Sequence, residues 1–136
     1  MNILENSKTD IEKLEQDRNI KELLNAFVEG DHDVSWKAAQ ALGRIKDEKS
    51  VEPLIKLLTH EDSDLRLNAT MALGKIGDNR AGVRLIILMG DENRYVRWHA
   101  VEALGNIRDE KAVQPLIKTL NEEEIRNEAA LSLGKI

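Results

Sequence analysis

Four segments of this chain are versions of one twelve-residue phrase: Val34–Ile45 (VSWKAAQALGRI), Leu65–Ile76 (LRLNATMALGKI), Val96–Ile107 (VRWHAVEALGNI) and Ile125–Ile136 (IRNEAALSLGKI). Their starts lie 31, 31 and 29 residues apart. This period constrains the fold more than any other feature, because a unit so short cannot bury its own apolar face and must stack on copies of itself. A second set of segments lies between them: VEPLIKLL (Val51–Leu58), GVRLIILM (Gly82–Met89) and VQPLIKTL (Val113–Leu120), with a weaker copy, IKELLNAF, at Ile20–Phe27. The order is helix A then helix B, four times over.

Both segments have a helical period. In the first B segment Val34, Ala38, Ala41, Leu42 and Ile45 fall at i, i+4, i+7, i+8 and i+11, a single apolar stripe. Ala39 and Gly43 lie beside that stripe, and the matching pairs are Thr70/Gly74, Val101/Gly105 and Ala130/Gly134. A glycine inside a helix costs roughly 1 kcal/mol against alanine, so its return in every copy points to two helix backbones in close approach. Asp47, Asp78 and Asp109 directly follow B segments and are placed to cap the next A helix. Pro53 and Pro115 fall early in their A helices, where a missing N–H costs least; Arg84 stands in the same place in the third repeat and predicts a straighter helix.

Composition agrees with an all-α chain. Aromatic residues make up 3%, Ala and Leu dominate the apolar set, and two prolines and eight glycines leave little turn chemistry for sheets. The expected fold is an α-solenoid of four helix-pair repeats of about 31 residues, at 20–45, 51–76, 82–107 and 113–136 in a single domain. Residues 1–19 form an N-terminal segment in which Thr9–Gln16 (TDIEKLEQ), with Ile11 and Leu14, reads as a short capping helix. No cap follows the fourth B helix, which predicts either a longer array or an open end that packs on something, including weak self-association of an otherwise monomeric chain.

The run V-R-x-x-A-x-x-A-L-G-x-I followed by D-x-x-A-V-x-P-L-I-x-x-L stands here as Val96, Arg97, Ala100, Ala103, Leu104, Gly105 and Ile107, then Asp109, Ala112, Val113, Pro115, Leu116, Ile117 and Leu120. It resembles the HEAT-like repeats of the bilin-lyase type, and the resemblance extends from about Ile20 to Ile136. Ser35 departs from the arginine found at Arg66, Arg97 and Arg126, and the fourth repeat is two residues short between Leu120 and Ile125, which should tilt its last helix. The resemblance implies B helices on an inner, concave surface. It implies no single function, because activity separates readily from fold.

On the B-helix wheel, the positions of Trp36, Lys37, Gln40 and Arg44 oppose the buried stripe. The second repeat places Leu67, Asn68, Met71 and Lys75 there, the third Trp98, His99, Glu102 and Asn106, and the fourth Asn127, Glu128, Leu131 and Lys135. A purely solvated face would be charged throughout, whereas this one carries a row of Trp36, Leu67 and Trp98 with Met71 and Leu131 beside it. Stacked helices lie about 8–10 Å apart, which would separate the two tryptophans by on the order of 20 Å. Exposed aromatics with polar flanks suit protein-binding anchors; the same tryptophans would also serve as packing residues laid flat over alanine-lined grooves. Lys37, Arg44, Lys75 and Lys135 against Glu102 and Glu128 leave a positive surplus on this face, so the expected ligand is a peptide or protein with apolar anchors and some acidic residues. Arg66, Arg97 and Arg126 are assigned instead to salt bridges or hydrogen bonds with the turns, to acids such as Asp62 or Asp91.

The residues offer little for catalysis. HEAT-repeat di-iron enzymes of the deoxyhypusine hydroxylase kind, similar to this chain in fold, carry His-Glu at the two positions after the B-helix arginine. Those positions hold Trp36-Lys37, Leu67-Asn68, Trp98-His99 and Asn127-Glu128 here. The histidines are His32, His60 and His99, and His60-Glu61 falls in a turn. No cysteine is present, and the glycines are isolated rather than clustered in a phosphate loop. No metal or cofactor is expected. Net charge is −5, which disfavours nucleic acid as a partner. Met1–Asp10 has no apolar signal core and no stretch is long enough to span a bilayer, so a cytoplasmic location away from membranes is expected. The function these features favour is a non-catalytic interaction scaffold. The alternative is an accessory subunit or fragment of a larger HEAT-repeat enzyme or complex, docking through its C-terminal end.

Overall fold

The computed structural model of the chain describes residues 8–136; the first seven residues of the N-terminal segment lie outside the described residues. Among the described residues there are nine α-helices: α1 (Lys8–Gln16), α2 (Ile20–Glu29), α3 (His32–Ile45), α4 (Val51–Leu57), α5 (Ser63–Ile76), α6 (Gly82–Leu88), α7 (Arg94–Ile107), α8 (Val113–Thr119) and α9 (Arg126–Lys135). The chain is an all-α solenoid. Helices α3, α5, α7 and α9 are the B helices and stack on one another in chain order, while α2, α4, α6 and α8 each pack on the B helix that follows. Helix α1 lies against both α2 and α3.

The long B helices begin and end by the same device. Asp31, Asp62 and Asn93 stand at the N-caps, where their side chains accept from the backbone N–H groups of Val34, Asp64 and Tyr95 at 2.9, 2.8 and 2.8 Å. Each helix ends on a left-handed residue whose N–H reaches back to a carbonyl of the last turn: Lys46 (φ 56°), Gly77 (φ 76°) and Arg108 (φ 60°). The two residues missing after Leu120 fall where the cap of α9 would stand. Ile125 occupies the cap position with no side-chain bond, and α9 runs for 10 residues against 14 in α3, α5 and α7.

Asp47, Asp78 and Asp109 do cap, but not an α-helix. Each accepts the backbone N–H two residues on, at Lys49, Arg80 and Lys111, and so opens a single 3-10 turn that leads into the A helix. Pro53 and Pro115 sit in the first turn of α4 and α8. Helix α6, with Arg84 in that place, has the same 7 residues, so proline does not set the length of these helices.

The core is a continuous aliphatic seam between the two layers. Leu54, Leu85 and Leu116 from the A helices and Leu42, Leu73 and Leu104 from the B helices are fully buried, each contributing roughly 1.5–3 kcal/mol against exposure. Among the described residues Phe27, in α2, is the one aromatic buried completely. The seam extends into α1 through Ile11 and Leu14.

The helical glycines mark where B helices approach. A Cβ on Gly74 would lie 2.9 Å from the Cβ of Ala103, and one on Gly105 would lie 2.8 Å from the Cα of Ser132. On Gly43 the nearest atom is the flexible Cδ of Lys75 at 3.0 Å. Gly134 has nothing within 4 Å. At the Gly105 crossing the Ser132 hydroxyl donates to the carbonyl of Val101 at 2.8 Å, tying α9 to α7 where they come closest.

The B-helix arginines bind the turns. Arg66 donates from Nη1 to the carbonyls of His60 (2.8 Å) and Glu61 (3.0 Å), and from Nε and Nη2 to both carboxylate oxygens of Asp91 in the next turn (3.0 and 3.1 Å). Arg97 repeats the pattern with the carbonyls of Asp91 and Glu92 and the carboxylate of Glu124. Arg126 keeps one rung, to the carbonyl of Leu120. Of the two acids expected as partners, Asp91 fills the role, whereas Asp62 caps α5.

Candidate functional site: the B-helix face

The solvent-facing row is built by the B-helix wheel, and its members differ in how far they reach solvent. Trp36 is exposed, at 48%. Trp98, at the equivalent place two repeats on, is half-buried and packs against the core. Trp98 thus packs against the core, whereas Trp36 is open to solvent. Trp98 meets the His99 ring edge-on, with centroids 4.7 Å apart. Leu67 and Met71 are half-buried between them, and Leu131 on α9 is 62% exposed. Asn68, expected on the open face, is instead buried at 8%, because it turns into the junction between the first two B helices.

Hollows flank the aromatic residues. One of about 250 Å³ lies where α1 crosses α3, lined by Ile11, Glu12, Glu15, Trp36, Lys37, Gln40 and Arg44. Another of about 310 Å³ lies between α7 and the turn that leads into α9, lined by Arg94, Tyr95, Trp98, His99, Glu124 and Ile125. Tyr95 is 62% exposed and the Arg94 guanidinium carbon sits 5.8 Å from its ring centroid. At 100° per residue Tyr95 falls within the same solvent-facing arc as Trp98 and Glu102, though it was not among the expected row residues.

Electrostatics on this face are polarised along the helices. Asp31, Asp33, Asp62 and Asp64 cluster at the N-terminal ends, while Arg44, Lys46 and Lys75 line an open groove of about 520 Å³ at the C-terminal ends. Helix dipoles favour this distribution without any ligand. The cations counted as a surplus from sequence are partly engaged. Arg44 makes a two-pronged bond to Glu15 of α1, with Nε and Nη2 at 2.7 and 2.8 Å from the two carboxylate oxygens. That contact holds the Glu15 carboxyl below the usual carboxylate range and raises the guanidinium. Lys37 pairs with Asp33 one turn back. Lys75 and Lys135 hydrogen-bond to the amide oxygens of Gln40 and Asn106, and the Lys135 charge also acts on the Glu128 carboxylate. On α9, burial raises the Glu128 carboxyl, and the nearby Glu102 carboxylate adds to the effect. Asn106 and Asn127 are exposed.

The histidines are dispersed. His60 accepts the Asp62 N–H at Nδ1, His32 Nε2 lies 3.3 Å from Asp64, and His99 Nδ1 lies 3.4 Å from Glu102. Among the described residues, no group of three His, Asp or Glu side chains comes together to hold a metal ion. No helix among them is long and apolar enough to cross a membrane.

Stacked helix pairs, a shared aliphatic seam and an open face on one layer define the class as a helical-repeat solenoid. Residues 20–88 and 82–136 match the HEAT repeats family, and the chain belongs to it. The fold is shared with the complex of CpcE and CpcF of phycocyanin lyase from Nostoc, at 22% identity and a TM-score of 0.74 over 93% of this chain. This chain spans 57% of the length of that one. An engineered protein is 26% identical over 98% of this chain and 68% of its own, with a TM-score of 0.68. A designed armadillo repeat protein in complex with the peptide (KR)4 is 21% identical over 98% of this chain and 70% of its own, with a TM-score of 0.63. No curated protein matches the sequence.

Proposed function

We propose that the chain is a non-catalytic scaffold that binds a protein or peptide segment along the B-helix face. The observation that carries this reading is Trp36, an indole 48% exposed beside a hollow of about 250 Å³ on a rigid helix. Burying such a ring against a partner is the strongest use the face offers, since aromatic anchors set in pockets dominate binding energy. Tyr95 and Trp98, beside the second hollow, supply the other anchor. Acidic residues of the segment lie toward the groove of Lys46 and Lys75. The designed repeat protein solved with a peptide supports a peptide occupant for this kind of fold.

A selection from a displayed peptide library tests the reading, using the wild-type chain and a Trp36→Ala/Tyr95→Ala variant. Both side chains are exposed, so the variant is expected to keep the helical circular-dichroism signal. Peptides enriched on wild type should be lost from the variant; equal retention by both refutes the B-helix face as the site.

A second reading has its own support. A Cβ on Gly134 would meet nothing within 4 Å, where those on Gly74 and Gly105 meet the next B helix, and Leu131 on the same helix is exposed. The lyase chain with the same fold was solved as a complex of two proteins. Docking of another helical chain on the outer side of α9 would fill that space. Making this side polar with Leu131→Glu would then abolish the association, as read by light scattering.

A further inference from the structure

The arginine ladder has a missing rung at the first repeat, where His60 also stands in place of the acid that Asp91 supplies to Arg66 one repeat on. Between the second and third repeats the slot holds Arg66, whose side chain is 8% exposed and which donates to two turn carbonyls and a carboxylate. One repeat earlier the same position is Ser35. There the junction of α3 and α5 contains a cavity of about 220 Å³, with Asp31, Asp62, Asp64, Ser35 and Asn68 among its lining groups. Ser35 is 4% exposed, and its hydroxyl has no hydrogen-bond partner among the described residues. The Glu29 and Gly30 carbonyls stand thirty-one residues before those of His60 and Glu61, which accept from Arg66.

We propose that this cavity receives the side chain of an arginine carried by the partner segment. Asp31 and Asp62 each use one carboxylate oxygen to cap a helix and keep the other for a donor. The lining has three carboxylates against one imidazole, His32, which already lies 3.3 Å from Asp64. A planar fork of five N–H groups matches separated carboxylates, a carbonyl and a hydroxyl; the three donors of a compact ammonium group match them less well. Among the described residues, no three acidic or imidazole groups lie close enough together to hold a metal ion. The cavity also communicates with the anchor row. A neighbouring hollow of about 460 Å³ shares His32, Asp64 and Asn68 with it and is lined by Trp36, so a segment lying on Trp36 has a path inward. The proposal deepens the scaffold reading and takes the arginine to belong to the same segment.

The test uses N-acetyl-arginine methylamide as the probe, titrated into the full chain and followed by backbone amide chemical shifts. Saturable shifts should centre on Ser35, Asp64 and Asn68, and N-acetyl-lysine methylamide should bind roughly fivefold or more weakly. The Ser35→Arg variant supplies the missing side chain in cis. It should raise the melting temperature and abolish the shifts. If that variant does not fold, Asp64→Asn, at a half-exposed position, should weaken arginine binding severalfold. Absence of saturable shifts, equal binding of the lysine probe, or binding undiminished in these variants would overturn the proposal. Trp36→Ala should leave binding of this single residue intact while abolishing peptide retention, so the cavity and the anchor row fail separately.

Discussion

The four helical glycines make one substitution give opposite results. Gly105→Ala places a methyl 2.8 Å from the Cα, Cβ and Oγ of Ser132, and Gly74→Ala places one 2.9 Å from Ala103 Cβ and 3.1 Å from its Cα. Backbone atoms cannot swing aside, so α7 and α9, or α5 and α7, must separate. Overpacking of this kind costs about 1–3 kcal/mol, against a gain of about 1 kcal/mol from replacing a helical glycine. The net expectation is a loss of up to about 2 kcal/mol, larger at Gly105, where separation also strains the Ser132–Val101 bond. At Gly43 the obstacle is the end of the Lys75 chain at 3.0 Å, which can move, so alanine there should be close to neutral. At Gly134 nothing lies within 4 Å and alanine should stabilise, by roughly 0.5 kcal/mol because the last turn frays. Urea unfolding followed by circular dichroism gives the order directly, with unchanged m-values showing that stability alone has moved. If Gly105→Ala stabilises as much as Gly134→Ala, the close approach of B helices is wrong.

Other outcomes follow from the termini and the ion pairs. Lys46→Gly and Arg108→Gly relieve left-handed backbone at φ 56° and 60° and should each raise stability by about 1 kcal/mol in the same urea assay. Glu15 and Glu128 should respond to pH in opposite senses. The folded-state pKa of Glu15 is depressed by Arg44, so its stabilising share is present above the unfolded value of about 4.3 and is lost as pH falls through the lower folded value. Glu15→Gln should therefore destabilise slightly at neutral pH, by less than about 1 kcal/mol for so exposed a pair, and not at all in strong acid. The folded-state pKa of Glu128 is raised by burial and Glu102, so ionisation is penalised above it. Glu128→Gln should be more stable than wild type at neutral pH, with the difference vanishing as pH falls below the unfolded value. Thermal melts of both variants across that range check the signs.

The fold was legible because the repeat is carried by periodicity, which is local. The stripe of Val34, Ala38, Ala41 and Leu42 is buried as its spacing requires, and the small-residue positions lie at real helix crossings for Gly74 and Gly105. What escaped the sequence depends on contacts between repeats. The wheel placed Asn68 outward correctly for one isolated helix, but the neighbouring B helix covers it. Arg44 looked like a free cation because Glu15, its partner, belongs to a helix 29 residues earlier that crosses α3. Tyr95, 62% exposed, lies in the same arc of the wheel as Trp98 but precedes the repeated run of row positions, and so was not singled out. The two tryptophans were indistinguishable by pattern, yet Trp36 is 48% exposed and Trp98 is half-buried against the core.

The central claim is that partners sit on the B-helix face, and site-specific photo-crosslinking tests it most directly. A benzophenone amino acid placed at Trp36 or at Ile87 compares two exposed apolar positions, the first on the B-helix face and the second on an A helix at 66% exposure. The account predicts a discrete crosslinked protein from position 36 and none from position 87. Crosslinking from 87 alone would place the interaction on the A-helix layer and contradict the account.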